Sequence, residues 1–232
     1  MLTYAIGDIH GCYLQLRALI GHCAVHSGAE SLRFIFIGDY VDRGPNSAEV
    51  VRFLMKIQAD APDRIGCLRG NHEAMLIEAA NGGDELTWIL NGGDATLESY
   101  GITAAAEIPA EHLAWFEALP LTISDDRRFF VHAGIKPGIP LDRQRPELML
   151  WIREPFLSDT RDHGRYIVHG HTPTETGQVE LRPNRLNIDT GACYGGPLTA
   201  AVFDEVSTGP LAFITDEGEI VPASPNSESP KV

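Results

Sequence analysis

The chain has 232 residues, 44% of them hydrophobic and 22% charged, which is typical of a globular protein long enough to bury a sizeable core. Its formal net charge of −14 argues against general nucleic-acid binding, although local cations or metal ions would still admit an anionic substrate. The four cysteines form no CxxC pair, which argues against a zinc ribbon, and no apolar run reaches the about 20 residues of a membrane span. Scattered free thiols and the lack of a visible signal peptide predict a cytoplasmic protein with no membrane partner.

Strand and helix patterns alternate through the first third of the chain. β-Branched and aromatic runs predict strands, and apolar residues at helical spacing predict helices. The predicted elements are a strand at 2–6, a helix at 13–26, a strand at 32–37, a helix at 47–59 and a strand at 64–68. This succession indicates a parallel sheet with right-handed crossovers.

The pattern then changes twice. Residues 74–125 read as a helical insertion lying over one edge of the sheet, with a short helix at 111–119. Strand patterns without intervening helices return at 129–132, 166–168, 186–189, 199–203 and 211–215, which predicts antiparallel or mixed pairing. Residues 222–232 are rich in proline and serine and are predicted to be a disordered tail, so that residues 1–221 form one domain.

Five predicted strands are each followed by a loop that combines glycine with a metal-capable side chain. The loops are GDIHG (7–11), GDYVDRG (38–44), GNHE (70–73), HAG (132–134) and HGHT (169–172). Ligands of open α/β sheets bind beyond the carboxyl ends of the strands, so we expect the sheet to bring all five loops to one edge. Asp8, Asp39 and Asn71 lie 31 and 32 residues apart (39 − 8 and 71 − 39), about the length of one strand–helix unit.

The chemistry of these loops points to metal ions. A single Gly-Asp is usually only a turn, and a lone Asn-His is more often a surface loop, but five such loops at five strand ends indicate a common site. Carboxylates mixed with imidazoles and one amide suit borderline divalent metals, with manganese first and iron or zinc as alternatives. Two such ions can clamp a phosphoryl group. Asp39, on the middle one of the first three loops, is the natural bridge between the ions.

In this order and spacing, GDIHG, GDYVDRG and GNHE resemble the signature of the PPP family of serine/threonine phosphatases, within the calcineurin-like metallophosphoesterases. The similarity runs from Leu2 to about Thr215. The compact length and the HAG and HGHT loops resemble the bacterial and phage branch, which includes the phage lambda phosphatase and the symmetrical diadenosine tetraphosphate hydrolases. The resemblance implies an α/β (α+β) fold, namely a four-layer sandwich of two mixed β-sheets flanked by helices, with a helical insertion near the active site.

The resemblance also implies a role for each matching residue. It implies six metal ligands, with Asp39 bridging the ions: Asp8 and His10 on the first, and Asn71, His132 and His171 on the second. It implies four residues that bind no metal and handle the proton and the phosphate: His72 as the general acid, Asp42 as its orienting partner, and Arg43 and Arg153 as phosphate ligands.

Other residues near the motifs have less defined roles. We expect Glu73 to hydrogen-bond locally as an orienter and His169 to lie beside the ligands or in the core. Tyr194 is left open between lining the pocket and packing. Asp189 is a candidate orienter of a ligand histidine. Trp88, Trp115 and Trp151 are predicted to pack in the core or the insertion.

The substrate follows from the resemblance alone. The leading hypothesis is hydrolysis of phosphoserine and phosphothreonine monoesters, with phosphotyrosine as an extension, by direct attack of a metal-bridging hydroxide. The alternative is symmetrical hydrolysis of dinucleoside polyphosphates such as diadenosine tetraphosphate at the same core site. A silent phosphate-binding module is disfavoured, because such modules usually lose ligands and every expected ligand is present here. The expected partner is a phosphoprotein or a small phosphorylated substrate.

Overall fold

Two β-sheets and seven α-helices form the part of the chain that the structure, a computed structural model, describes, namely residues 1–223. In chain order the elements are β1 (Leu2–Ile6), α1 (Tyr13–Ser27), β2 (Leu32–Phe36), α2 (Ser47–Asp60), β3 (Ile65–Cys67), α3 (Asn71–Ala80), α4 (Glu85–Trp88), α5 (Asp94–Tyr100), α6 (Ala110–Ala118), β4 (Thr122–Ser124), β5 (Arg128–Val131), α7 (Pro146–Trp151), β6 (Tyr166–His169), β7 (Glu180–Leu181), β8 (Arg185–Asn187), β9 (Thr199–Phe203), β10 (Ala212–Thr215) and β11 (Ile220–Pro222).

Both sheets are mixed. The first has the order β11-β10-β9-β1-β2-β3, in which β1, β2 and β3 are parallel and β9 to β11 pair antiparallel. The second has the order β4-β5-β6-β8-β7, with a parallel centre of β5, β6 and β8 and antiparallel edges. The predicted pair of mixed sheets flanked by helices is confirmed.

Successive apolar side chains of a strand point to opposite faces of its sheet, and together they form three apolar layers. In β1, Tyr4 and Ile6 pack against the helices on the outer face of the first sheet, whereas Ala5 faces the second sheet. In β5, Phe130 faces the first sheet and Phe129 packs outward in the layer that contains α7. Both faces of these strands are therefore buried, which explains why they read as continuous apolar runs.

The expectation that one sheet gathers all five loops is wrong. β1, β2 and β3 lie in the first sheet, whereas β5 and β6, which precede the other two loops, lie in the second. The carboxyl ends of the parallel strands of both sheets meet at a common edge because the two sheets stack face to face. The functional loops come together at this junction.

The helical insertion starts earlier and ends earlier than predicted. α3 begins at Asn71, inside the third motif, and β4 at Thr122–Ser124 pairs with β5 in the second sheet. Apolar residues of α3 to α6 join α1 and α2 in the layer over the first sheet. α4 and α5 are joined by a π-type segment, Ile89–Gly93, that kinks at Gly92, where φ is +104°.

The disordered tail predicted for 222–232 was placed too early in the chain. Pro222 ends β11, and the amide of Ala223 donates to the carbonyl of Leu211 at 3.0 Å. The rest of the predicted tail, 224–232, lies outside the described residues. Within residues 1–223, none of the helices is both long and apolar enough to cross a bilayer.

Candidate metal centre

Two groups of potential metal ligands share one carboxylate, that of Asp39. One group contains His10, Asp39 and His72, and the other contains Asp39, His132 and His171. Asp39 Oδ2 lies 3.4 Å from His10 Nε2, and its Oδ1 lies 3.4 Å from His132 Nε2. The two oxygens thus face opposite groups, as a bridging ligand requires.

The second group converges on the side chain of Asn71. Its Oδ1 lies 2.8 Å from His132 Nε2 and 2.7 Å from His171 Nδ1. Burial lowers the pKa of His132 and lowers that of His171 to about 3. The rings are therefore neutral at physiological pH, which is the form that binds metals.

Backbone carbonyls orient the imidazoles of His10 and His132. His10 Nδ1 lies 2.8 Å from the carbonyl of Val41, and His132 Nδ1 lies 3.0 Å from that of Ile37. A carbonyl only accepts, so each Nδ1 carries the proton and donates it, which leaves Nε2 free as the ligand atom. These carbonyls have the role that the sequence suggested for Asp189.

Asp8 is the clearest indication that cations belong here. Its Oδ2 accepts the amide of His171 at 3.0 Å, whereas its Oδ1 is buried without a hydrogen-bond partner among the described residues. Burial, Asp189 and Asp39 raise the pKa of Asp8 well above its ordinary value. A buried, unpartnered carboxylate oxygen beside further carboxylates is costly unless a cation neutralises it. The donor set therefore fits divalent ions.

Glu73 fixes the loop that carries the shared carboxylate. Its two oxygens accept three backbone amides, those of Gly70 at 2.8 Å, Asp39 at 2.9 Å and Tyr40 at 2.7 Å. Burial raises the pKa of Glu73 to about 7. The predicted local orienter thus ties the second motif to the first turn of α3, and Gly70 is needed because a Cβ there would lie 2.1 Å from Asp39 Oδ1.

Backbone strain is concentrated in this site. Within residues 1–223, every non-glycine residue with positive φ is one of the predicted site residues: His10, Asp39, Asp42, Arg43 and His171. Such conformations cost on the order of 1–3 kcal/mol each and persist only where the surroundings enforce them. The pattern points to geometry maintained for function.

His72 and Asp42 form a buried pair beside the shared carboxylate. His72 Nδ1 lies 2.7 Å from Asp42 Oδ2, and His72 Nε2 lies 3.9 Å from Asp39 Oδ2. Burial lowers the pKa of His72, but Asp39 and Asp42 outweigh it and raise the pKa above its ordinary value. The Trp88 indole donates to both Asp42 oxygens at 3.0 Å, and the Thr96 hydroxyl donates to Oδ1 at 2.7 Å. Trp88 was expected to pack, and the hydrogen bonds from Trp88 and Thr96 had no sequence signal.

Residues 1–200 match the family model of the calcineurin-like phosphoesterases, which covers most of the chain. The chain belongs to the calcineurin-like phosphoesterase family. It is 29% identical to serine/threonine-protein phosphatase 1 of Salmonella typhimurium, over 86% of this chain and 90% of that protein. It is also 29% identical to the asymmetrical bis(5'-nucleosyl)-tetraphosphatase of Bacillus velezensis, over 88% of this chain and 89% of that protein.

Solved structures agree with the family. A crystal structure provisionally described as a diadenosine tetraphosphatase has a TM-score of 0.70, with 26% identity over 92% of both chains. A cold-active protein tyrosine phosphatase also has a TM-score of 0.70, with 18% identity over 95% of this chain and 78% of that chain, and shows the fold alone. This calcineurin-like phosphoesterase is therefore a metal-dependent phosphoesterase, and its relationship to the phage branch stays a prediction.

An open cleft of about 440 Å³ lies over the metal centre of this calcineurin-like phosphoesterase, lined in part by the two predicted phosphate-binding arginines. Arg43 Nη1 lies 2.7 Å from His10 Nε2, and the Arg43 guanidinium lies 5.6 Å from the centre of the Tyr194 ring. Tyr194 is 65% exposed, so it does not pack in the core, and it lies beside Arg43. Arg153 is exposed at the cleft.

Trp151 and Asn91 are among the residues that line the cleft without having been predicted there. Trp151 is 46% exposed, and its ring centre lies 6.1 Å from that of His171, so the prediction that it packs is wrong. Asn91, in the π-type segment, also lines the cleft. Neither position carries a motif that a single sequence reveals.

Three other residues lie outside the two groups of potential ligands. His169 is fully buried, with its Nε2 3.2 Å from Arg185 Nη1, and belongs to the core, which is one of the two expected positions. Asp189 adjoins Asp8 and accepts the amide of Gly191 at 3.1 Å, but within residues 1–223 it bonds to none of the site histidines. Trp115 packs against Tyr40 as predicted, with ring centres 5.6 Å apart.

Proposed function

We propose that this phosphoesterase hydrolyses phosphoserine and phosphothreonine monoesters, and phosphotyrosine by extension, with two divalent cations, manganese first. The observation that carries the proposal is the buried His72–Asp42 pair, in which His72 Nε2 lies 3.9 Å from Oδ2 of the shared Asp39. The alkoxide of a serine or threonine ester is a strongly basic leaving group and needs a proton donor in the transition state. A histidine whose pKa is raised and whose ring is held by a carboxylate supplies that donor.

The six predicted ligands would hold the cations around the shared carboxylate. Such ions supply Lewis acidity toward the phosphate and lower the pKa of water. Asp42 fixes the ring of His72 and stabilises its protonated form, so that the proton leaves from Nε2. The guanidinium groups of Arg43 and Arg153 bind the phosphate oxygens and orient the ester in the cleft.

The similarity to serine/threonine-protein phosphatase 1 of Salmonella typhimurium, which extends over most of both chains, supports the phosphoprotein substrate. The cleft supports it too, because it is open to solvent along the side lined by Trp151 and Arg153, both exposed. A phosphorylated segment of a larger protein can reach such a cleft, whereas an enclosed pocket would admit only small molecules.

Hydrolysis of dinucleoside tetraphosphates is the second candidate, supported by relatives with that activity in their names. Besides the Bacillus velezensis protein, the symmetrical bis(5'-nucleosyl)-tetraphosphatase of Dechloromonas aromatica is 35% identical, over 62% of this chain and 48% of that protein. The same metal centre would serve both reactions. An anhydride releases a weakly basic phosphate, so this reaction would depend far less on His72.

A substrate panel tests the proposal. Manganese-loaded protein is assayed for kcat/KM on phosphoserine and phosphothreonine peptides, p-nitrophenyl phosphate and diadenosine tetraphosphate. The proposal expects the phosphopeptides to be hydrolysed at least as efficiently as the dinucleotide. A preference for the dinucleotide by orders of magnitude would replace it with the second candidate.

A further inference from the structure

The residues Asp42 and Arg43 form a strained pair whose support comes from a distant part of the chain. They are consecutive and both left-handed, with φ of +73° and +68°. The amide of Asp42 donates to Thr96 Oγ1 at 2.8 Å and to Ser47 Oγ at 3.1 Å, and the amide of Arg43 donates to the carbonyl of Gly92 at 3.0 Å. Each strained residue is therefore hydrogen-bonded to the stretch 88–96, which runs from the end of α4 into α5.

The same stretch holds the side chain of Asp42. Thr96 is fully buried, and its single hydroxyl accepts the Asp42 amide and donates to Asp42 Oδ1 at 2.7 Å. Trp88, also fully buried, donates its indole hydrogen to the same carboxylate. These two buried donors thus fix the orientation in which the Asp42 carboxylate contacts His72.

The kink in this stretch fits closely around Arg43. A Cβ on Gly92 would lie 2.7 Å from Arg43 Cγ and 2.9 Å from the Arg43 amide nitrogen, and φ at Gly92 is +104°. Only glycine tolerates both the conformation and the contact. Asn91, the preceding residue, lines the catalytic cleft.

We propose that the segment 88–96 is a positioning element that sets the proton-donating pair and the phosphate-binding arginine together. Trp88 and Thr96 position His72 through Asp42, and Gly92 positions the Arg43 guanidinium through its backbone. The inference rests on the proposed function for the roles of His72 and Arg43, but the hydrogen bonds that carry it are independent of the substrate.

The role of the Thr96 hydroxyl is tested with two variants. Thr96→Val removes the hydroxyl and keeps the volume, and Thr96→Ser keeps the hydroxyl. For folded protein with unchanged metal content, Thr96→Val should lower kcat on an alkyl phosphopeptide about tenfold or more at similar KM, because the Asp42 carboxylate loses a buried hydrogen bond. Thr96→Ser should stay within about threefold of the wild type. Equal kcat in Thr96→Val and Thr96→Ser would overturn the inference for this residue.

The contact with Arg43 is tested by phosphate affinity, which does not depend on turnover. Gly92→Ala should weaken binding of inorganic phosphate to manganese-loaded protein about tenfold by titration calorimetry, because the guanidinium is displaced. Gly82→Ala is the matched control, since Gly82 also has positive φ, +84°, but a Cβ there meets nothing within 4 Å. Equal phosphate affinity of the two variants would overturn the inference. If the wild type hydrolyses none of the phosphate compounds, the proposed function fails and this binding comparison still decides the positioning role.

Discussion

The amide of His171 donates a 3.0 Å hydrogen bond to Oδ2 of Asp8. Asp8 follows β1 of the first sheet and His171 follows β6 of the second, so this bond joins the two sheets at the metal centre. Gly170 allows the approach, because a Cβ there would lie 2.1 Å from Asp8 Oδ1. Within residues 1–223 the other oxygen of Asp8, Oδ1, has no hydrogen-bond partner, so it is available as a ligand of the first cation that we propose.

Asp8→Asn should therefore remove a metal ion without dismantling the junction. The amide oxygen of asparagine can still accept from His171, but the negative charge and one ligand oxygen are lost. We expect about one divalent ion per chain instead of about two after dialysis, as measured by inductively coupled plasma mass spectrometry. The melting temperature of the metal-free protein should not fall. Full retention of both ions would remove Asp8 from the ligand set.

His72→Ala should separate proton donation from metal binding. The two metals should remain, because the six proposed ligands do not include His72, whose ring lies beside Asp39 but is engaged through Nδ1 by Asp42. The kcat on a phosphoserine peptide should fall by about 10²–10⁴, with a much smaller loss on p-nitrophenyl phosphate, whose leaving group is weakly basic. His26→Ala, at a histidine that hydrogen-bonds to Tyr4 far from the cleft, is the control. Equal losses on both esters would contradict the assignment.

Arg153→Ala should weaken substrate binding more than chemistry. Arg153 is exposed at the rim of the cleft, so its contact with phosphate is partly screened by solvent. We expect KM for the phosphopeptide to rise about tenfold while kcat changes less than about threefold. Arg145→Ala, at an exposed arginine that precedes α7, controls for the loss of one positive charge. An unchanged KM would show that Arg153 does not bind the phosphate.

Asp125→Asn should lower stability in a pH-dependent way. Asp125 Oδ2 accepts the Nε of buried Arg128 at 2.8 Å, and Oδ1 accepts the amides of Arg127 and Arg128. Burial raises the pKa of Asp125, but these partners outweigh it and hold the pKa below its ordinary value. The stabilisation is thus complete above the unfolded pKa and is lost as the pH falls through the folded one.

At neutral pH the Asp125→Asn variant should lose about 1–3 kcal/mol of unfolding free energy in a urea titration, because buried Arg128 loses its charged partner. The difference from the wild type should shrink below about pH 4. Asp126→Asn, at the exposed neighbour, should change little. A loss that is the same at neutral and acidic pH would contradict the ion-pair explanation.

The parts of the fold that local patterns encode were predictable. β1 at Leu2–Ile6 and β9 at Thr199–Phe203 have the bounds that their apolar runs indicate, because both are central strands buried on two faces. α7 and the short edge strands β4, β7 and β11 were missed, since a helix of six residues and strands of two or three residues carry too little periodicity. The second sheet was implied by family resemblance, whereas the strand pattern alone suggested a single edge.

The candidate site likewise contains residues that local sequence patterns predict and residues that they do not. The motif residues lie together at one edge because each follows a strand, which is a local property. Trp88 and Thr96 reach Asp42 across 46 and 54 residues of chain, and no spacing rule connects such positions. Their contacts depend on how the insertion packs over α2, which a single sequence does not encode in any local pattern.

The bridging role of Asp39 is the central claim, and anomalous diffraction from crystals grown with manganese tests it most directly. We predict two anomalous peaks about 3.5–4 Å apart, one beside Asp8 and His10 and the other beside Asn71 and His132, with one oxygen of the Asp39 carboxylate within ligand distance of each. A single peak, or two peaks of which Asp39 contacts only one, would contradict the account.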